Sequence, residues 1–296
     1  MSFQKTIVSV PQAHQSGQIE WPKGKPDAAT DFVTLSNQPY ADMPTFVSQI
    51  AKHDQNNTQE TMLFVHGFNV RHAEAVYQLA QISHDFEIPS QTVLFSWPSA
   101  GVPAGYLYDR DSILIARDQL ENVIRALTRQ SGRKVTLLGH SMGNLLIMET
   151  LRQIEIGGDF DVEKKIGALI MISPDIDGEL FYTQASRLKQ LPQPAIIIAA
   201  RQDKALRLSA LLTGRTNRLG SQTDRSSVRD LPFTVIDATD LGGRGPNHDI
   251  ALTSPAAISV LKNLDQRLLP GENQLPPLID LGGLVRNAKP LLGEAR

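Results

Sequence analysis

The stretch that most constrains the fold is Lys134-Val-Thr-Leu-Leu-Gly-His-Ser-Met-Gly-Asn144. It reads as a short buried strand over 135–138, then Gly139-His140-Ser141-Met142-Gly143, then an apolar helix start at 145–148. Strand, sharp turn and helix in that succession are the context a nucleophile elbow requires. Such a turn holds Ser141 in a strained backbone conformation with its hydroxyl raised above a sheet. Small residues on either side let strand and helix pass close together. The helix N-terminus also aims free N–H groups and the positive end of the dipole at any oxyanion that develops there. Gly-x-Ser-x-Gly alone arises by chance in many chains. The apolar strand before it and the apolar helix after it favour the catalytic reading.

Short apolar strands alternate with helices on both sides of this element. From residue 61 the strands are expected at 62–65, 92–95, 135–138, 168–172, 195–200 and 233–236. The helix expected over 72–85 carries Ala75, Val76, Leu79 and Ile82 on one face. A long one, from Asp109 or Asp111 to about 129, carries Ile113, Ala116, Leu120, Val123, Ile124 and Leu127. Strands apolar at nearly every position, alternating with helices, mean a mainly parallel sheet covered on both faces, hence an α/β fold. We expect two N-terminal strands, at 6–10 and 31–35, to form an antiparallel edge, which makes about eight strands in all. A helix follows from the cap residue Asp42, and the last runs from Pro255 to about 267. Residues 1–269 read as one domain with a cap-like insertion at 204–230. Residues 270–296, rich in proline and glycine and without periodicity, read as a tail lying on it.

Composition removes several function classes. There is no cysteine, which excludes thiolate catalysis, disulfides and cysteine-ligated metals, and a net charge of −2 gives no reason to expect nucleic acid. No apolar run approaches the ~18 residues that span a membrane. No His/Asp/Glu cluster has metal-ligand spacing and no glycine loop has a nucleotide-binding form, so neither metal nor cofactor is expected. Met1-Ser-Phe-Gln-Lys-Thr lacks a basic-then-apolar leader. As it stands the sequence reads as cytoplasmic, or as periplasmic or membrane-anchored if a leader precedes it. Oligomeric state is left open.

A serine hydroxyl needs a base, and the base needs an acid that fixes its tautomer. His248 is the only one of seven histidines after Ser141 and sits in a glycine-rich loop beyond the last strand of that run. For the acid, Asp203 follows the strand at 195–200 and is the first choice. Asp175 and Asp177, one strand earlier at the same edge, are alternatives, and Asp237 and Asp240 are nearer in sequence. Oxyanion donors are expected from the N–H of Met142 and of Phe68, with Asn69 next. Asn69, Trp97 and Tyr106, with Tyr108, stand where a substrate pocket would form, although core packing accounts for the aromatics as well. His66 and His140 read as structural hydrogen-bonders. Asp109-Arg-Asp111 reads as a helix cap with a local ion pair, and Arg215, Arg218, Arg225 and Arg229 as a solvated face.

With these residues in hand, the chain resembles the α/β-hydrolase superfamily. Within it, the chain is similar to a bacterial esterase-like family catalogued as a domain of unknown function. The resemblance rests on Phe64-Val-His-Gly-Phe-Asn69, Phe95-Ser-Trp-Pro-Ser99, Tyr108-Asp-Arg-Asp-Ser112, Leu138-Gly-His-Ser-Met-Gly-Asn144, Pro174-Asp-Ile-Asp177 and Asp203-Lys-Ala-Leu206. It covers about 61–268 and not the tail. Where such families often close on His-Ser, this loop has His248-Asp249. The resemblance implies a triad of Ser141, His248 and Asp203, and many relatives are exported or anchored. The expected activity is cleavage of a small-molecule carboxylic ester through an acyl-enzyme on Ser141. The rivals are a lipid-active hydrolase at a membrane surface and a catalytically idle fold used for binding.

Overall fold

Strands that are apolar on both faces must be covered on both faces, and that requirement organises the chain. The computed structural model describes residues 1–53, 58–130, 133–214, 217–242, 247–263 and 276–288. Its strands are β1 (Phe3–Ser9), β2 (Val33–Tyr40), β3 (Glu60–Val65), β4 (Gln91–Phe95), β5 (Lys134–His140), β6 (Ile166–Ile172), β7 (Ala195–Ala199), β8 (Thr234–Asp237) and β9 (Leu278–Asp280). Its α-helices are α1 (Met43–Lys52), α2 (His72–Asp85), α3 (Tyr106–Gln130), α4 (Gly143–Gly157), α5 (Phe160–Glu163), α6 (Gly178–Ala185), α7 (Lys204–Thr213), α8 (Ile250–Thr253), α9 (Pro255–Lys262) and α10 (Leu281–Ala288).

Seven strands form one sheet in the order β4-β3-β5-β6-β7-β8-β9, with every pairing parallel. Side chains alternate between two cores. Leu63, Leu137, Met171, Ile197 and Val235 pack with α1, α3, α4 and α6 on one face. Phe64, Leu138, Ile172, Ile198 and Ile236 pack with α2, α8, α9 and α10 on the other. The register aligns Val65 with Gly139, His140 with Ile172 and Ala199 with Asp237. All the loops that leave the strands' carboxyl ends therefore open on one edge, where open α/β sheets collect their ligands.

Three expectations are corrected. β1 and β2 do not extend the sheet; they pair antiparallel as a separate two-stranded ribbon. Gln4, Lys5, Asn37 and Gln38 leave the ribbon too polar for cover on both faces, and it packs on α1 instead, Phe3 stacking on Phe46 at 5.2 Å. The C-terminal stretch is more than a tail, because Leu278–Asp280 adds the edge strand beside β8 and α10 follows it. Three residues after a Pro-Pro pair are too short to show a period, and only Ile279 of them is buried. The cap-like insertion at 204–230, in which the sequence suggests no element, is partly regular. It contains α7 and a tight 3-10 turn, Leu219–Ser221, pinned to the sheet edge by Leu219 N–H to Ile176 O (2.8 Å), Gly220 N–H to Pro174 O (2.9 Å) and Ala200 N–H to Gly220 O (2.9 Å). The helix expected to reach 267 is described to Lys262, and 264–275 lie outside the described residues. Among the described residues no helix is long and apolar enough to cross a membrane.

Candidate active site

Between β5 and α4 the chain turns at Ser141, whose φ of 52° lies in the left-handed region that costs a non-glycine residue energy. Neighbouring contacts over-determine the turn. A Cβ on Gly143 would overlap the carbonyls of Val65 and His66, and one on Gly139 would overlap the Asn144 side chain, so only glycine fits at either place. Asn144 Nδ2–H donates to Ile172 O at 3.0 Å and to Ser141 O at 3.2 Å, which locks the elbow to β6.

The loop after β3 lies directly over this turn. A Cβ on Gly67 would come within 2.9 Å of both Ser141 Cβ and His140 Nδ1. His66 anchors the loop's base. Its Nε2 accepts from Trp97 N–H at 3.2 Å, so its Nδ1 carries the proton that bonds Gly67 O at 2.9 Å. Burial drives its pKa down to about 4, and the ring stays neutral. Trp97 stacks on it at 4.9 Å and donates its indole N–H to His66 O. At 3% exposure Trp97 is a packed core residue. Further along, Asn69 has φ 57° and its N–H is held by Asp109 Oδ2 at 3.2 Å. Among the described residues the N–H groups of Met142 and Phe68 donate to nothing.

Asp109 is not the cap with a local ion pair that its sequence suggests. It is fully buried in α3, and its carboxylate also accepts from Ser99 Oγ–H and Ala100 N–H, both at 2.6 Å, tying the loops after β3 and β4 together.

From the far side of the sheet edge, His248 Nδ1 meets Asp203 Oδ2 at 2.7 Å. Asp203 caps α7, its other oxygen accepting from Leu206 N–H at 3.0 Å, and it is completely buried. Ser173 Oγ–H fixes the His248 carbonyl at 2.6 Å, and the His248 ring lies 4.9 Å from the ring of His140, the residue before Ser141. Burial opposes charge on His248. The hydrogen bond and charge of Asp203, helped by Asp249 and Asp175, outweigh that and raise its pKa above 6.5. Asp249 Oδ1 lies 2.9 Å from His140 Nε2, although neither His140 ring nitrogen makes an aligned hydrogen bond. Burial works against the Asp249 charge, yet His140 and His248 hold its pKa down to about 2. The Ser141 hydroxyl makes no hydrogen bond among the described residues, so His248 and Asp203 are joined while Ser141 and His248 are not.

The rival carboxylates have other partners. Asp175 accepts from Ser209 Oγ–H at 2.7 Å and Tyr106 O–H at 2.8 Å, and lies 3.4 Å from Arg218 Nε. Its own N–H donates to Ser141 O at 3.2 Å. Burial and the Asp175 charge push Tyr106 up to about 12, so the phenol remains a donor. Tyr106 also packs edge to face on Phe68 at 5.3 Å. Asp177 caps α6, accepting from Glu179 and Leu180 N–H. Arg218, far from a solvated face, is 2% exposed and also binds Ser209 O and Thr213 Oγ1. Arg225 is spent on carbonyls of Leu231, Phe233 and Pro277, and Arg215 lies outside the described residues. Asp109 had a sequence signal in Tyr108-Asp-Arg-Asp111, read for the wrong role; Arg218 had none.

A parallel sheet, a Gly-x-Ser-x-Gly turn with Ser141 in the left-handed region, and a histidine–aspartate pair across the same edge define the chain as an α/β hydrolase. The family described as alpha/beta hydrolase of unknown function (DUF900) matches residues 44–266, and the chain belongs to it. No curated protein matches. Among solved structures it is similar to a dienelactone hydrolase from Anabaena variabilis (12% identity, 89% of this chain and 95% of that one, TM-score 0.47). It is also similar to Aspergillus fumigatus lipase B (16%, 78% of this chain and 61% of that one, 0.44). A third is the RedJ thioesterase of the prodiginine biosynthetic pathway in Streptomyces coelicolor (14%, 70% and 86%, 0.38). The chain thus spans less than two thirds of the lipase's length.

Proposed function

We propose that the chain is a serine hydrolase that cleaves carboxylic esters through an acyl-enzyme on Ser141. The observation that carries the reading is the 2.7 Å pair of His248 Nδ1 and Asp203 Oδ2 at the edge where Ser141 is held at φ 52°. With Nδ1–H committed to Asp203, Nε2 is the free base. It takes the proton as Ser141 Oγ bonds to the ester carbon, and the carbonyl electron pair moves onto oxygen. Met142 and Phe68 N–H groups hold that oxyanion. Its collapse breaks the bond to the alcohol, which leaves with the proton from His248. Water, deprotonated by His248, then releases the acid and restores Ser141. The Ser141–His248 hydrogen bond forms when substrate fills the site, as catalytic contacts often tighten only in the complex. Phe68 and Tyr106, paired edge to face beside the oxyanion loop, wall the acyl side next to Asn69. Trp97 acts on the loop through His66.

A second reading, hydrolysis of lipid at an interface, is favoured by one observation. α7 and the start of α3 both reach Asp175 beside the elbow, through Ser209 and Tyr106. Their outer faces expose Leu208 (55%), Leu211 (78%) and Leu212 (52%), and Leu107 (68%) and Tyr108 (58%). Such a rim is the form an interfacial surface takes.

Hydrolysis of p-nitrophenyl esters over a range of acyl lengths, by wild type and Ser141→Ala, tests the first reading. Loss of turnover by roughly 10³-fold or more in Ser141→Ala supports it. A rate that jumps when the substrate forms micelles moves the assignment to the lipid reading. No turnover by either protein, with no labelling of Ser141 by a fluorophosphonate, leaves an idle fold that binds rather than cleaves.

A further inference from the structure

Away from the catalytic edge, the connection between β1 and β2 lays His14 on the C-terminal end of α2, against His84 and Asp85. The three offer ligand atoms that all lie within 4.8 Å of one another. His14 Nε2 is 2.9 Å and His84 Nδ1 3.5 Å from Asp85 Oδ1, and the two imidazoles meet edge to face at 5.1 Å. Zinc bonds of about 2.0–2.2 Å in a tetrahedron put donor atoms about 3.4 Å apart. The two spacings to Asp85 Oδ1 bracket that value, and His84, with its side chain 54% exposed, can adjust.

The surroundings match what a bound ion needs. A metal-ligating histidine donates its other ring nitrogen to a carboxylate, which fixes the ring and raises its basicity. His14 Nδ1 meets Glu20 Oε2 at 2.8 Å in that manner. The second oxygen of Asp85 is held by Gly17 N–H at 2.8 Å and Gln81 Nε2–H at 2.5 Å, leaving Oδ1 facing the histidines. His14 and Asp85 side chains are 4% and 2% exposed, so this is a built site and not a surface coincidence. Two imidazoles and one carboxylate suit a borderline transition ion and not magnesium or calcium.

We propose that His14, His84 and Asp85 bind one divalent transition ion of the zinc class, with water at the fourth position and Glu20 as the outer partner of His14. The ion staples the segment between β1 and β2 to α2. This site is independent of the ester-hydrolase reading and survives its failure.

The test is calorimetric titration of the chelator-treated full chain with Zn²⁺ alone, followed by zinc-edge absorption spectroscopy and thermal melts. One ion per chain is expected, with two imidazoles in its first shell and a Tm that rises with Zn²⁺. His84→Ala alters only an exposed ligand and should fold; it is expected to weaken binding by about 100-fold or more, and Glu20→Gln by roughly 10–100-fold. Equal affinity in wild type and His84→Ala would place the ion elsewhere and overturn the proposal. Absence of micromolar binding by wild type would also overturn it, leaving His14 as an imidazolium clamped between two carboxylates.

Discussion

Asp203 separates two effects that are usually confounded, because one oxygen serves α7 and the other serves His248. Oδ1 caps the helix at Leu206 N–H, and Oδ2 orients the imidazole, in a side chain with no exposure. Asp203→Asn keeps an acceptor for the cap but turns an amide N–H toward Nδ1, which drives the histidine's proton onto Nε2. The base is then blocked. The loss of ester turnover should be on the order of 10⁴-fold, equivalent to about 5.5 kcal/mol of barrier. Asp203→Ala should lose similar activity and in addition the cap, at about 1 kcal/mol, so its urea midpoint should fall below that of Asp203→Asn. The pH profile gives a third readout. Burial lowers His248's pKa but Asp203 raises it further, so the wild-type limb should lie above 6.5, with activity falling as pH drops through it and the base becomes charged. In Asp203→Asn the residual limb should move to lower pH. The same raised pKa means that the pair stabilises the fold fully below 6.5 and less as pH rises through the folded-state value. Turnover by Asp203→Asn within about tenfold of wild type would refute the assignment of this aspartate.

Three further outcomes follow from contacts around the site. Asp109→Ala removes the shared acceptor of Asn69 N–H, Ser99 Oγ–H and Ala100 N–H, part-buried bonds that each contribute about 1 kcal/mol. It should lower the Tm and, by loosening the loop that carries the proposed oxyanion donor Phe68, reduce kcat more than it changes KM; unchanged kcat in folded protein would remove Asp109 from that role. Gly143→Ala puts a methyl into the carbonyls of Val65 and His66 and should abolish soluble expression or cost several kcal/mol in urea unfolding, roughly the scale of overpacking or worse. Arg218→Met leaves the Asp175 charge buried without its guanidinium and should destabilise by about 3–5 kcal/mol in the same assay, and a neutral result would mean that the pair contributes nothing to stability.

How much of this was legible in the chain follows from how local each feature is. The elbow was readable because strand, glycines, serine and helix are consecutive, and the alternation of apolar runs fixed the parallel sheet. His248 stood out through chain order. Arg218 was not readable: its partner Asp175 lies across two loops, and a buried arginine in an Arg/Ser/Thr-rich stretch looks like its solvated neighbours. The N-terminal ribbon was misplaced because strand propensity does not say which sheet a strand joins. β9 was invisible because its pairing with β8, and not its pattern, makes it a strand. The His14, His84 and Asp85 cluster proposed to hold a metal had no spacing signal either, since His14 reaches the other two only through the fold.

Choosing the histidine's partner shows why carboxylate position in sequence is a weak guide and donor accounting a strong one. Asp109, Asp175, Asp177 and Asp203 all sit around the carboxyl edge and all are buried. A carboxylate accepts about four hydrogen bonds, so what distinguishes them is which donors reach each one. Asp109 has both oxygens committed to the loops after β3 and β4. Asp175 has Ser209 and Arg218 on one oxygen and Tyr106 on the other. Asp177 faces the first turn of α6. Only Asp203 meets its own helix with one oxygen and presents the other to His248. A committed carboxylate still matters to His248: the negative charge of Asp175 adds to that of Asp203 and Asp249 in favouring its protonated form. The charges at this edge therefore favour protonated His248, and in the proposed mechanism they would stabilise the imidazolium formed as Ser141 attacks, with Asp203 alone setting its tautomer.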